Sequence, residues 1–236
     1  MRRKARLAAA RTLSPSVREL TLEVDPAPDG APFSYAAGQY VELFVPTKGL
    51  TMKRAYSIAS APGSRGPNAF DIAVTRTSSG KSSDSLHSHA LDAEYDVEGP
   101  RGGFVRRNRE ASVLFVGAGT GLAPLRAMIQ DELRTESQAR VGLLFGARDE
   151  DHILWRAEWN DWSASRRFES DITLSRASET WSGLRGYVQL HAVRSYEKIA
   201  PAEVFVCGLS SMVIDVVRAL EAHGVDSSAI YSESYD

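Results

Sequence analysis

The sequence predicts a two-part fold, an antiparallel Greek-key β barrel followed by a doubly wound parallel α/β sheet, and three observations carry that prediction. First, 236 residues suit two domains of ordinary size. Second, as far as residue 109 apolar and polar residues alternate over short stretches divided by turn-rich segments. Third, from residue 110 onward short apolar runs alternate with stretches of helical spacing, the pattern of strand–helix repeats. The expected domains are therefore 1–109 and 110–236.

The elements follow in chain order. The basic opening Met1-Arg-Arg-Lys-Ala-Arg runs into LAAARTL, where Arg11 interrupts any apolar signal core, so this stretch reads as the first strand of a cytoplasmic protein. Val17–Val24, Tyr40–Val45, Phe70–Val74 and Tyr95–Glu98 read as further barrel strands, with DPAPDGAP and SAPGSRGPN as turns. Ser112–Val116, Val141–Phe145, Asp171–Leu174 and Glu203–Cys207 read as buried strands of the parallel sheet. Leu122–Arg134 and Ser211–His223 read as amphipathic helices, the second stopped by Gly224.

Composition narrows the function. With 43% apolar and 25% charged residues and no apolar run near the ~20 residues that span a bilayer, membrane insertion is not expected. A single cysteine cannot form an internal disulfide or ligate an iron–sulfur cluster, which excludes a fused ferredoxin. His87 and His89 stand two apart and read as a solvated loop pair rather than metal ligands. Residues 1–109 hold 16 Lys and Arg against 11 Asp and Glu, and residues 110–236 hold 12 against 19. The basic residues cluster in MRRKAR and RGGFVRRNR without the interleaved aromatics of a nucleic-acid platform. Both an acidic protein partner and a merely solvated basic surface fit that excess.

Two motifs carry chemistry. FVGAGTGLAP, Phe115 to Pro124, ends an apolar strand in a glycine-rich turn that opens a helix, an arrangement in which backbone N–H groups can cradle a phosphate. Its spacing is G-x-G-x-G, and the next strand ends in Gly146-Ala-Arg148 with no acid to hold a ribose hydroxyl. RAYSIAS, Arg54 to Ser60, sets a cation, a flat ring and a small hydroxyl on one strand, the groups a flavin needs for its pyrophosphate, ring face and N5 edge.

Taken in order, RAYSIAS, GKSSDSL, GPRGGF, GAGTGLAP, LLFGARDEDHILW, LSR, GYVQ, CGLSSM and the terminal ESY resemble the ferredoxin–NADP+ reductase family over essentially the whole chain, closest to its plant and cyanobacterial type. The resemblance implies an FAD-binding barrel, an NAD(P)-binding α/β domain, and electron transfer between NADPH and a separate ferredoxin or flavodoxin. It implies that Arg54 and Ser83, with Val74 and Ser82 beside them, hold FAD, that Tyr56 lies on the flavin ring, and that Ser57 bonds near N5. Gly119, Thr120, Gly121 and Pro124 would shape the nucleotide diphosphate site, while Ser175, Arg176, Arg185 and Tyr187 would meet a 2′-phosphate and adenine. Cys207 and Glu233 would stand at the nicotinamide, and Tyr235 would cover the other flavin face.

Three departures qualify the match. The segment directly after Val74 is shorter and lacks the tyrosine that would stack the FAD adenine, which leaves either Arg76 as the substitute or a loosely held adenine, and FMN as an alternative to FAD; Asp236 follows the terminal tyrosine; and two glycines flank the last flavin motif. TWSGLRGYV also resembles the corresponding stretch of NADH-dependent oxygenase reductases, so NAD and an oxygenase component form a second reading. A nonenzymatic flavoprotein that carries electrons or senses redox state within a complex is a third.

Overall fold

The computed structural model describes residues 2–47, 49–77 and 80–235; Asp236 lies outside them. Strands β1 (Arg2–Ser14), β2 (Val17–Val24), β3 (Tyr40–Thr47), β4 (Leu50–Ser57), β5 (Ala69–Thr75) and β6 (Glu94–Arg101) form one antiparallel sheet in the order β4-β3-β6-β1-β2-β5. A bridge between Ile58 and Ile72 draws the end of β4 onto β5, so the two edge strands meet and the sheet curls into a barrel. Its interior is filled by alternate residues such as Leu20 and Leu22 of β2 and Val41, Leu43 and Val45 of β3, all without exposed surface.

One barrel strand departs from simple alternation. Phe70, Ile72 and Val74 of β5 face the barrel core, yet Asp71 and Ala73 on the opposite face are also buried, because the second domain covers that face. Helix α1 (Lys81–Ser88) crosses between β5 and β6, held by Leu86 in the barrel core. The expected solvated histidine pair belongs to this region and is corrected. His87 lies in the last turn of α1 with Nε2 2.9 Å from the Val74 carbonyl, and His89 has Nδ1 2.8 Å from the Tyr95 hydroxyl. Burial and the nearby Arg18 both lower the His89 pKa, so it stays a neutral structural group near pH 7.

The basic clusters are exposed for the most part but paired within the chain. Arg2 pairs with Glu98, Lys4 with Asp96, Arg6 with Glu23 and Asp92, and Arg101 with Glu42 and Glu98, so carboxylates on neighbouring strands neutralise most of the basic opening. Arg106 is buried against Glu132 and Glu203, and Arg109 pairs with Asp131, which ties the connection after β6 to the second domain. Much of the charge excess at these two clusters is therefore offset by neighbouring carboxylates.

The second sheet contains β7 (Ser112–Ala118), β8 (Val141–Ala147), β9 (Phe168–Leu174), β10 (Leu184–Arg185), β11 (Ala202–Leu209) and β12 (Ile230–Tyr235), parallel throughout, in the order β10-β9-β8-β7-β11-β12. Helices α2 (Leu122–Glu132) and α3 (Arg156–Ser163) cover one face, over Phe115, Leu143, Phe145 and Phe205. The other face lies under α4 (Ala192–Ile199) and α5 (Ser210–Ala222), over Val116, Leu144, Val204 and Val206. Both faces are dry, so the strands read as unbroken apolar runs, each fully buried Leu, Ile or Phe contributing roughly 1.5–3 kcal/mol. Gly224, at φ +95°, ends α5 in the left-handed conformation that a C-terminal glycine supplies at least cost.

Candidate active site

The sheet order creates the site. From β7 the strands run through β8, β9 and β10 to one side, then the chain returns to place β11 and β12 on the other. Loops leaving β7 and β11 therefore diverge, and a crevice opens at their C-terminal ends. A cleft of about 780 Å³ fills it, with Gly119–Gly121 and Gly208 on the sheet side and Thr75 and Thr77 on the barrel side.

The glycines are there for two different reasons. Gly119 has φ +54° and open space where a side chain would project, so its backbone is bare toward a ligand. At Gly121 a Cβ would lie 2.2 Å from the Cys207 carbonyl oxygen, so only hydrogen permits the turn to lie against β11. Helix α2 continues directly from a single 3₁₀ turn at Gly119–Gly121, whose Gly119 and Thr120 carbonyls accept from the Leu122 amide; no side chain caps either segment, and Pro124 in the first turn of α2 has no N–H to leave unpaired. A bare, uncapped turn of this kind fits a dinucleotide diphosphate.

The barrel offers a similar cradle. Helix α1 also starts without a side-chain cap, and Ser82 and Ser83 in its first turn are buried, Ser83 donating to the Gly80 carbonyl at 2.8 Å and Ser82 lying 3.3 Å from the Met52 sulfur. Arg54 and Tyr56 share one face of β4. Arg54 is exposed, with its guanidinium on the Lys53 carbonyl, and Tyr56 is half-buried, its hydroxyl pKa pushed up to about 12 by burial. An exposed cation, a supported ring and an uncapped helix fit a flavin dinucleotide. Val74 differs: its side chain is in the barrel core and its carbonyl meets His87. Arg76 is paired with Asp84 of α1 at 2.9 Å.

Four predicted residues converge where the domains meet. In the parallel register of β11 and β12, Cys207 is opposite Glu233 and Leu209 opposite Tyr235, so Glu233 and Tyr235, two apart, project to one side beside Cys207. Ser57, at the end of β4, completes the group from the barrel. Its Oγ lies 2.6 Å from the Tyr235 hydroxyl and donates to Glu233 Oε1 at 3.5 Å. Burial raises the Glu233 pKa against the opposing hydrogen bond from Ser57, and burial with the adjacent thiol raises that of Tyr235 well above its ordinary value. Cys207, with no exposed surface, is pushed up to about 12 by burial, against the hydrogen bond it shares with Tyr235. It is a neutral thiol at neutral pH, and the folded protein is expected to leave Cys207 unmodified by iodoacetamide at pH 8 while the denatured chain reacts; equal rates would contradict this burial.

The residues assigned to a 2′-phosphate separate. Ser175 and Tyr187 line the cleft together with Arg148. Arg176 is exposed, without an ion-pair partner among the described residues, and its amide donates to the Arg148 carbonyl at 2.6 Å. Arg185 turns away, its guanidinium donating to the carbonyls of Ala177, Ser178, Glu179 and Trp181 at 2.7–3.3 Å. Sequence reasoning missed Arg148, and its signal was available: it directly follows β8, where the expected acid was absent. Met212 and Asp215, on the first turns of α5, also line the cleft; Met212 closes the CGLSSM motif, whereas Asp215 had no signal beyond helical spacing.

Fold and site define a two-domain flavin- and pyridine-nucleotide-binding oxidoreductase. Residues 4–105 match the oxidoreductase FAD-binding domain model and residues 115–218 the oxidoreductase NAD-binding domain model. The chain is 44% identical over 243 residues to ferredoxin–NADP reductase B of Sorangium cellulosum, covering 99% of this chain and 97% of that one. It is 25% identical over 210 residues to the CDP-6-deoxy-L-threo-D-glycero-4-hexulose-3-dehydrase reductase of Yersinia pestis, covering 88% of this chain and 62% of the relative. Among solved structures, the FAD/NAD-binding domain of nitric oxide dioxygenase from Vibrio cholerae superposes with a TM-score of 0.85 at 23% identity, covering 99% of this chain and 98% of that one. Ferredoxin–NADP+ reductase from Plasmodium falciparum superposes with a TM-score of 0.80 at 18% identity, covering 98% and 95%. The chain belongs to the ferredoxin–NADP reductase family. Among its described residues no helix is long and apolar enough to cross a membrane.

Proposed function

We propose that this chain exchanges electrons between NADPH and a separate one-electron carrier, ferredoxin or flavodoxin, through FAD held on residues 1–109 and a nucleotide held on residues 110–236, in the cytoplasm. The observation that carries the reading is the cluster of Ser57, Cys207, Glu233 and Tyr235 where barrel and sheet meet at the cleft. Bound FAD supplies hydride exchange with a nicotinamide and one-electron exchange with the carrier. Arg54 and the uncapped start of α1 with Ser82 and Ser83 neutralise the flavin diphosphate, and Tyr56 supports the ring. Ser57 keeps a hydroxyl at the ring edge, Cys207 and the turn at Gly119–Gly121 set how close the nicotinamide comes, and Tyr235 covers the stacking position until it is displaced. Glu233, whose carboxyl burial holds above its ordinary pKa and which Ser57 hydrogen-bonds, would help orient the nicotinamide and relay a proton. The near-full-length likeness to the Sorangium protein supports NADPH and a ferredoxin-type partner.

For the 2′-phosphate, Arg148 joins Ser175, Arg176 and Tyr187, and Arg185 acts by shaping the 177–181 loop. Anaerobic titration with NADPH is expected to bleach a yellow protein at near one nucleotide per chain. In Arg148→Ala the Kd for NADPH rises about 10- to 100-fold, as for loss of a charged hydrogen bond of about 1.5–3 kcal/mol, and that for NADH stays within about twofold. A colourless protein that takes up no flavin overturns the whole reading, and equal losses for both nucleotides overturn the NADPH choice. The engagement of Arg185 by loop carbonyls favours the NADH preference of the second reading, a reductase component of an oxygenase system, and NADH reducing the flavin as efficiently as NADPH would overturn the 2′-phosphate assignment of Ser175, Arg176 and Arg185.

A further inference from the structure

Away from the cleft, the two domains are joined by a buried ionic cluster that the reaction chemistry does not use. Arg126 of α2 is 1% exposed. Its Nε and Nη2 donate to both carboxylate oxygens of Glu158 on α3, at 2.8 and 2.7 Å, which fixes the guanidinium plane within the second domain. Its Nη1 then reaches into the barrel, donating to the Ala59 carbonyl at 2.6 Å and to Asp71 Oδ2 at 3.2 Å, with Glu19 Oε1 at 3.5 Å.

The barrel side is built to receive it. Asp71, with no exposed surface, accepts also from Thr21 and Arg65, and Glu19, 3% exposed, accepts from the Trp155 indole at 2.6 Å and from Arg11. The Trp155 ring lies 4.8 Å from the Arg126 guanidinium, and Trp155 takes φ +50°, a left-handed conformation costing about 1–3 kcal/mol that surrounding contacts must impose. Gln130 adds a second link, accepting from the Ala61 amide and donating to Glu158, both at 3.0 Å. Three cations, Arg11, Arg65 and Arg126, balance three carboxylates, Glu19, Asp71 and Glu158, and every carboxylate oxygen has a partner. A buried set of this kind adds little net stability over apolar packing but tolerates only one geometry, since misplacing any member leaves a charge unpaired.

Its attachment points are informative. Ala59 lies two residues beyond Ser57, and Arg126 five residues beyond Gly121. The cluster therefore ties the end of the flavin strand to the helix that carries the glycine-rich turn. We propose that Arg126 is a positioning residue whose interdomain ionic clamp sets the separation of the two ring-binding surfaces. The inference rests on the proposed function, because it concerns distance between the flavin and the nicotinamide.

The test compares wild-type protein with Arg126→Leu and Arg126→Lys in rapid-mixing reduction by NADPH, with flavin content and nucleotide Kd measured on the same samples. Both variants are expected to retain stoichiometric flavin and a Kd within about threefold, since neither cradle includes Arg126. The limiting reduction rate at saturating NADPH is expected to fall about 10²-fold in Arg126→Leu, the scale of a misplacement of about 1 Å, and the long-wavelength charge-transfer absorbance of stacked rings to disappear with it. Arg126→Lys, which keeps the charge but loses the fork, recovers part of both and provides the reading if the leucine variant does not fold. An unchanged limiting rate, or a loss that only tracks lost flavin, overturns the clamp. Failure of the wild-type protein to be reduced by either nucleotide overturns the functional reading instead.

Discussion

Gly121→Ala is expected to abolish measurable nucleotide binding while leaving the flavin in place. The methyl group would lie 2.2 Å from the Cys207 carbonyl oxygen, 2.6 Å from its carbon and 2.9 Å from the Gly208 Cα. These are backbone atoms of a central strand, paired to β7 on one side and β12 on the other, so no rotamer change relieves the clash. Either the turn lifts off β11, moving the start of α2 away from the cleft, or β11 shifts and takes Cys207 with it. Overpacking of this sort costs about 1–3 kcal/mol where side chains can yield, and here the neighbours cannot. The Kd for NADPH, read by difference absorbance, is expected to rise by more than about 10²-fold, with flavin content and the barrel's thermal transition retained. Gly119→Ala differs in kind: its φ of +54° imposes a local strain of about 1 kcal/mol and its Cβ meets no protein atom but faces the cleft, so any loss of affinity there reports the approach of the ligand and not a backbone clash. Nucleotide affinity unchanged in Gly121→Ala would remove the turn from the binding site.

The contrast between those glycines shows what the sequence made legible. The turn was readable because strand, glycines and helix adjoin in the chain, and alternation or apolar runs located the strands because each has its own period. Helix α1 escaped periodicity because KSSDSLHS buries a single large apolar side chain, Leu86, and is held largely by its neighbours. The two short strands β10 and β12 carry too little pattern to stand out. Charge was the most misleading signal. Composition counted an excess of cations in residues 1–109 but not their partners, and MRRKAR proved to be paired across strands that only the fold makes adjacent. The same blindness hid Arg126, whose four partners lie between 32 and 107 residues away in the chain. Of the expected site residues, Gly119, Thr120 and Gly121 of the glycine-rich motif line the cleft with Tyr235, whereas Arg185 was assigned from its neighbourhood and its side chain turned to its own loop.

Ser57→Ala is expected to slow flavin reduction by about 10²-fold at saturating NADPH, because this barrel hydroxyl hydrogen-bonds both Glu233 and Tyr235. Without it Tyr235 loses its 2.6 Å partner and Glu233 its hydrogen-bond donor, so neither is held in register with the flavin edge. Glu233→Gln separates orientation from proton holding, since the amide still accepts from Ser57 but does not titrate. The sign of the accompanying pH effect follows from burial. The native Glu233 pKa lies above its ordinary value of 4.5, so the folded state binds the proton more tightly than the unfolded state does. Stability of the wild-type protein therefore falls as pH rises from that ordinary value through the raised one, and this component is absent in Glu233→Gln. Chemical denaturation across that window is expected to show the variant gaining on the wild type as pH increases. Parallel curves would mean that Glu233 is solvated in the native protein. A normal reduction rate in Ser57→Ala would show that barrel and sheet are aligned without this hydroxyl.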